Sequence, residues 1–183
     1  MAAAAPAARP ASSGSVARTG LELLLFAYTD HLLSEPGEGI EARQAVLEKL
    51  EALGYNVGRR MAERLMLMQY ELPAGTEKAM QIVCTRLWRE LHGRNASRLK
   101  RLKQDGGYII EDNHFRFFAS LAAPGGVDVR DVAGKYVMFT RGAVRGALVA
   151  LGVSAAVHAD WTKDFPGVRF RVQLDQTMFS GAV

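Results

Sequence analysis

The spacing of apolar positions divides the chain into a helical first half and a mixed second half. Leu21, Leu24, Leu25, Tyr28 and Leu32 recur at helical intervals behind a Thr19–Glu22 capping box, which predicts a helix through Leu33. Pro36, Gly37 and Gly39 mark a loop. A second helix is expected from about Glu41 to Leu53, with Val46, Leu47 and Leu50 inward and Gly54 as its stop. Asn56 can cap a third helix carrying Met61, Leu65 and Met68 that ends before Pro73. Thr76 can cap a fourth, with Met80, Val83, Cys84, Leu87, Trp88 and Leu91 on one side and Gly93 at its end.

The period then changes. Tyr108–Glu111 and His114–Phe118 flank Asp112-Asn113, a pair suited to a two-residue hairpin turn. Ala122 to Gly126 reads as a loop. A long apolar helix follows, with Gly142 and Gly146 four residues apart in its middle and Gly152 as its cap. Each mid-helix glycine costs about 1 kcal/mol relative to alanine, so the pair implies that another backbone packs closely on that face. Val153–Trp161 and Val168–Leu174 alternate apolar and polar residues around the turn signal Asp164-Phe165-Pro166-Gly167. Helices first, then hairpins around a glycine-bearing helix, predict an α+β domain with an antiparallel sheet.

Composition narrows the class. At 183 residues, 49% hydrophobic and 23% charged, the chain suits one soluble globular domain, read here as residues 19–176. Residues 1–18 read as a disordered tail rich in alanine, serine and proline, and residues 177–183 as a short C-terminal tail. A basic segment poor in acids also resembles a transit peptide, but arginine is sparse for one. The single cysteine, Cys84, excludes an internal disulfide and points to a reducing compartment. On an apolar helix face it is expected to be a buried, inert thiol.

No catalytic constellation assembles. There is no phosphate-binding loop or nucleophile elbow, and the four histidines are scattered, so neither metal nor cofactor is expected. From Arg86 to Lys103 seven basic residues face one acid, Glu90. The segment is either a solvated helical face or, through Arg94, Arg98, Lys100, Arg101 and Lys103, a patch for an acidic partner or anionic lipid. Nucleic acid is disfavoured because aromatics for stacking are missing. Leu23–Phe26 is too continuous an apolar run for one buried stripe, and a helix apolar on more than one side buries its excess against a second chain. With adaptable methionines from the third helix, the candidate interface positions are Leu23, Phe26, Tyr28, Met61 and Met68.

Four ordered segments carry a resemblance: Leu50–Arg60 with its Leu-Glu-x-Leu-Gly-Tyr-x-Val-Gly pattern, Cys84–Trp88, Tyr108–Arg116, and Lys135–Val153 with Gly142-x-x-Arg145-Gly146-Ala147-Leu148. Together they resemble the TRAPP small-subunit (Bet-three-like) family, subunit six branch, over most of Leu21 to Leu174. The resemblance implies the TRAPP small-subunit α+β fold and a non-enzymatic scaffold of a vesicle-tethering complex in ER-to-Golgi and Golgi traffic. It implies heterodimerisation with the subunit-three relative through the helical half, further TRAPP subunits as partners, and an indirect link to a Ypt/Rab GTPase. It also implies a cytoplasmic protein, peripheral at cis-Golgi and ER-exit membranes. Subunit-three relatives carry an acylated cysteine whose matching region here, around Leu72-Pro73, has none, so lipid attachment does not carry over. The alternative reading is a small apolar-ligand-binding domain of the same fold.

Overall fold

The structure, a computed structural model, describes residues 13–34, 39–68, 73–103, 106–118, 121, 128–162 and 166–175. The tail over residues 1–12, the loops expected at Pro36-Gly37 and Ala122–Gly126, Leu72, the turn residues Asp164-Phe165 and the C-terminal tail lie outside the described residues. Helix α1 spans Ser13–Ser34, α2 Ile40–Leu67, α3 Thr76–Ile82, α4 Trp88–His92 and α5 Val129–Ala150. Strands β1 Arg98–Arg101, β2 Tyr108–Asp112, β3 Ala155–Trp161 and β4 Val168–Leu174 form one antiparallel sheet in the order β1-β2-β4-β3. The α+β class stands.

Helix α2 corrects the expectation of two helices broken at Gly54. It runs unbroken for 28 residues, and Asn56, expected as a cap, sits inside it and donates to the Ala52 carbonyl at 3.0 Å. Gly54 is used for its missing side chain, not for the backbone freedom that ends a helix. Helix α5 lies against α2, and each presents two glycines to the other. A Cβ at Gly54 would collide with the Phe139 carbonyl, and one at Gly58 with Ala143. In return, a Cβ at Gly142 would collide with the Glu51 carbonyl and one at Gly146 with that of Tyr55. Each backbone occupies a notch in the other, so the small-residue spacing serves both partners.

Charge locks the same crossing. The buried Glu51 carboxylate accepts a hydrogen bond from Arg141, and Arg145 pairs with it at 3.2 Å while the Arg145 guanidinium lies 5.2 Å from the Tyr55 ring centroid. One α2 carboxylate therefore takes two α5 arginines one turn apart, with a cation–π contact alongside.

The α3–α4 segment is nearly one helix, interrupted by a π-helical turn at Val83–Leu87. The wider turn diverts the Trp88 amide to Val83 and Thr85, and the Cys84 carbonyl instead accepts from Ala96 at 2.9 Å. That bond ties the approach to β1 onto the helix. Gly93, at φ 81°, ends α4 as expected.

Three further expectations change. Helix α1 begins at Ser13, inside the stretch assigned to the tail and ahead of the Thr19–Glu22 box. Arg98–Arg101, taken as part of a basic helical face, is strand β1. His114–Phe118 is not a strand: Arg116–Phe118 makes a 3₁₀ turn, and β2 pairs instead with β1 and β4. Phe115, Phe117 and Phe118 are all buried, which an alternating half-buried strand cannot achieve but a tight turn can. Asp112 accordingly ends β2 and is wholly buried rather than lying in a hairpin turn.

Gly146→Leu is expected to lower stability by at least about 2 kcal/mol in urea denaturation, because overpacking outweighs the roughly 1 kcal/mol helix-propensity gain. Gly20→Ala, in α1 where an added Cβ meets nothing within 4 Å, should instead raise stability by up to about 1 kcal/mol. An unchanged midpoint for Gly146→Leu would contradict the close crossing.

Candidate functional site

Among the described residues helix α1 packs chiefly on α2 and α4, with further contacts to Arg116 and to Tyr136 of α5. Its buried positions are Glu22, Leu25, Thr29 and Leu32, a three-four-three spacing in which two of the four are polar. Glu22 can be buried because Arg116 reaches it with two hydrogen bonds, at 3.1 and 3.2 Å, and the Thr29 hydroxyl donates to the Leu25 carbonyl at 2.7 Å. Those two polar residues hide the inward stripe from hydrophobic patterning. Leu23 and Leu24 consequently point outward, 62% and 67% exposed.

This placement corrects two expectations. Leu24, assigned to the core, is the second outward leucine. Phe26, assigned outward, packs edge-on against Tyr136 with centroids 4.8 Å apart. Tyr28 and Met61 are half-buried against the core, whereas Met68 at the end of α2 is 71% exposed. The outward apolar face of α1 is therefore Leu23 and Leu24, with exposed Ala27 one turn on.

The basic residues are not one patch. Arg94 hydrogen-bonds Asp112 and the His114 carbonyl, and Lys100 pairs with Glu111 at 3.0 Å. Arg98 and Lys100 share one face of β1, which leaves Arg101 on the other, and Lys103 lies beyond the strand. Burial works to raise the Glu111 pKa. The hydrogen bond from Lys100 and the charges of Lys100, Arg169 and Arg98 outweigh it and hold the carboxyl below the usual range.

Asp112 organises the polar interior. It accepts from the Trp88 indole at 2.8 Å, from the His114 amide at 3.1 Å and from Arg94, so one buried carboxylate joins α4, β2 and the 3₁₀ turn. Beside it His92 is buried among Trp88, Phe115 and Phe117, with ring centroids 4.9 to 5.3 Å away. Desolvation lowers its pKa to about 3, against the pull of Asp112 and with help from Arg94 and Arg116. Among the described residues no group of three or more potential metal ligands assembles, and no helix is long and apolar enough to cross a membrane.

Residues 21–175, nearly the whole of this architecture, match the transport protein particle (TRAPP) component family. The chain belongs to the TRAPP family. It falls in the subunit six branch: it is 32% identical over 145 residues to trafficking protein particle complex subunit 6A of Mus musculus, covering 78% of this chain and 86% of that protein. Subunit 6b of Danio rerio is 30% identical over 145 residues, with 78% and 87% covered. The fold matches trafficking protein particle complex subunit 3 of Naegleria fowleri, a structure described as covalently bound to palmitic acid, with TM-score 0.69 at 16% identity over 88% of this chain and 96% of that one.

In this TRAPP component Cys84 faces the core from the π-helical turn, and burial pushes its thiol pKa up to about 12. It should resist a water-soluble disulfide reagent in the folded protein and react fully in denaturant. His92 supplies a pH signature. Its proton is taken up by the unfolded chain below about pH 6.5 and by the folded chain only near 3, so its stabilising effect is complete above 6.5 and declines as pH falls towards 3. Thermal melts of His92→Phe should lose that part of the pH dependence while keeping a folded core.

Proposed function

We propose that this TRAPP component is a non-enzymatic scaffold that pairs with a subunit-three relative through the outward face of α1. The pairing places it in a vesicle-tethering complex at cis-Golgi and ER-exit membranes. It acts on a Ypt/Rab GTPase only indirectly, through the exchange activity of the assembled complex. Its membrane association is peripheral, and no residue is assigned a catalytic role.

The observation that carries the reading is the Leu23–Leu24 face on a helix that the described residues of its own chain hold on one side only. Two large adjacent leucines exposed to water forgo hydrophobic stabilisation of about 1.5–3 kcal/mol each, which a partner helix would recover. The family supplies the partner class, since TRAPP components assemble with one another. The polar outer positions nearby, Asp30 and His31, suit the polar rim of such an interface.

Leu23→Glu with Leu24→Glu tests this directly. Each unpaired charge forced into a dry interface costs several kcal/mol, against about 8 kcal/mol for the whole of a micromolar complex. Co-purification with the subunit-three relative should be lost, while circular dichroism stays that of the folded protein because neither side chain is in the core. Retained pairing would remove this face from the interface. Phe26→Glu, by contrast, should unfold or destabilise the monomer through loss of the Tyr136 contact.

A further inference from the structure

Helix α5 contains a third glycine that the crossing does not explain. Gly134 lies within the helix, yet an added Cβ there would meet nothing within 4 Å. A glycine in such a place gives up about 1 kcal/mol of helix stability and makes room for no described group of this chain. The space it leaves open is a cleft of about 790 Å³ between the start of α2, the first half of α5 and the end of β3. That volume is in the range of sites that enclose small ligands.

Val46 and Leu47 of α2, Val137 and Met138 of α5, and Trp161 of β3 make its walls apolar. Arg43, Arg130 and Lys135 also line it, and none of the three forms an ion pair with a described residue. Asp160 is the one acid among the described lining residues. Apolar walls with three unpaired cations against a single described acid fit a ligand that has one anionic end and a hydrocarbon remainder.

We propose that this cleft binds a single-chain carboxylate amphiphile, with the alkyl chain along the valines, Leu47 and Met138 and the carboxylate among Arg43, Arg130 and Lys135. Gly134 keeps the cleft open for it. The binding is non-covalent, because Cys84 is not among the lining residues. The site lies at the first turns of α2 with Leu33, at the end of α1, on its edge, and does not include the Leu23–Leu24 turn.

Trp161 is a built-in reporter, since the other tryptophan, Trp88, is fully buried elsewhere. The full chain would be titrated with dodecanoate below its micelle concentration while tryptophan emission is followed. Dodecyltrimethylammonium, which has the same tail and the opposite charge, serves as the control. Saturable binding of one dodecanoate per chain is expected, with the cationic amphiphile at least about tenfold weaker. Gly134→Leu fills the cleft without touching the fold and should weaken dodecanoate at least about tenfold while its melting temperature holds or rises. Arg130→Glu with Lys135→Glu should reverse the preference for the anionic head. Equal affinity for both amphiphiles, no saturable binding, or an affinity untouched by Gly134→Leu would overturn the proposal. In the second case a protein segment would be the occupant to seek.

Discussion

The rest of the structure depends on how closely α2 and α5 approach one another. Four glycines, two on each helix, let backbone meet backbone where side chains would ordinarily hold helices apart. The strands follow α5 on one side, since β3 packs on it and pairs with β4, and β4 carries β2 and β1. The π-helical turn between α3 and α4 contacts both crossing helices. Widening the crossing by one methyl group would thus have to move the sheet and the α3–α4 segment as well as the two helices. Interiors packed this densely transmit such a shift instead of absorbing it.

Periodicity was enough to find most of this architecture. The strands Val168–Leu174 and Ala155–Trp161 could be read because alternation and a turn signal agreed, and α5 because a long apolar run ended at Gly152. The family resemblance was legible for the same reason, through short ordered motifs around the glycines. What misled was polar residues in buried roles and glycines with two possible uses. Gly54 looks the same in sequence whether it ends a helix or admits a second one, and only the position of Phe139 decides. Glu22 and Thr29 disguise the inward stripe of α1 because their partners, Arg116 and a backbone carbonyl, are invisible to a hydrophobic pattern. That disguise turned Phe26 outward and Leu24 inward on paper.

The buried polar cluster was equally hidden. Asp112 beside Asn113 has the signature of a turn, and nothing local announces that Trp88 and Arg94, 24 and 18 residues away, converge on it. A buried carboxylate with three donors defines a geometry as well as a favourable contact: the indole, the guanidinium and the His114 amide can be satisfied together only if α4, β2 and the 3₁₀ turn hold their observed positions. His92 beside it has the opposite character. It contributes a ring to an aromatic cluster and retains a titratable group whose charged form burial disfavours more than Asp112 supports.

Notches repeated every four residues create a hazard of their own, because two such helices could slide by one turn and still find a glycine opposite a backbone. Glu51 removes that ambiguity. If α5 slipped one turn one way, Glu51 would face Val137 in place of one arginine; slipped the other way, it would face Val149. Met138 or Ala150 would at the same time enter a notch shaped for a hydrogen atom. The carboxylate and its two arginines work as an index pin, selecting one tooth of an otherwise repeating rack.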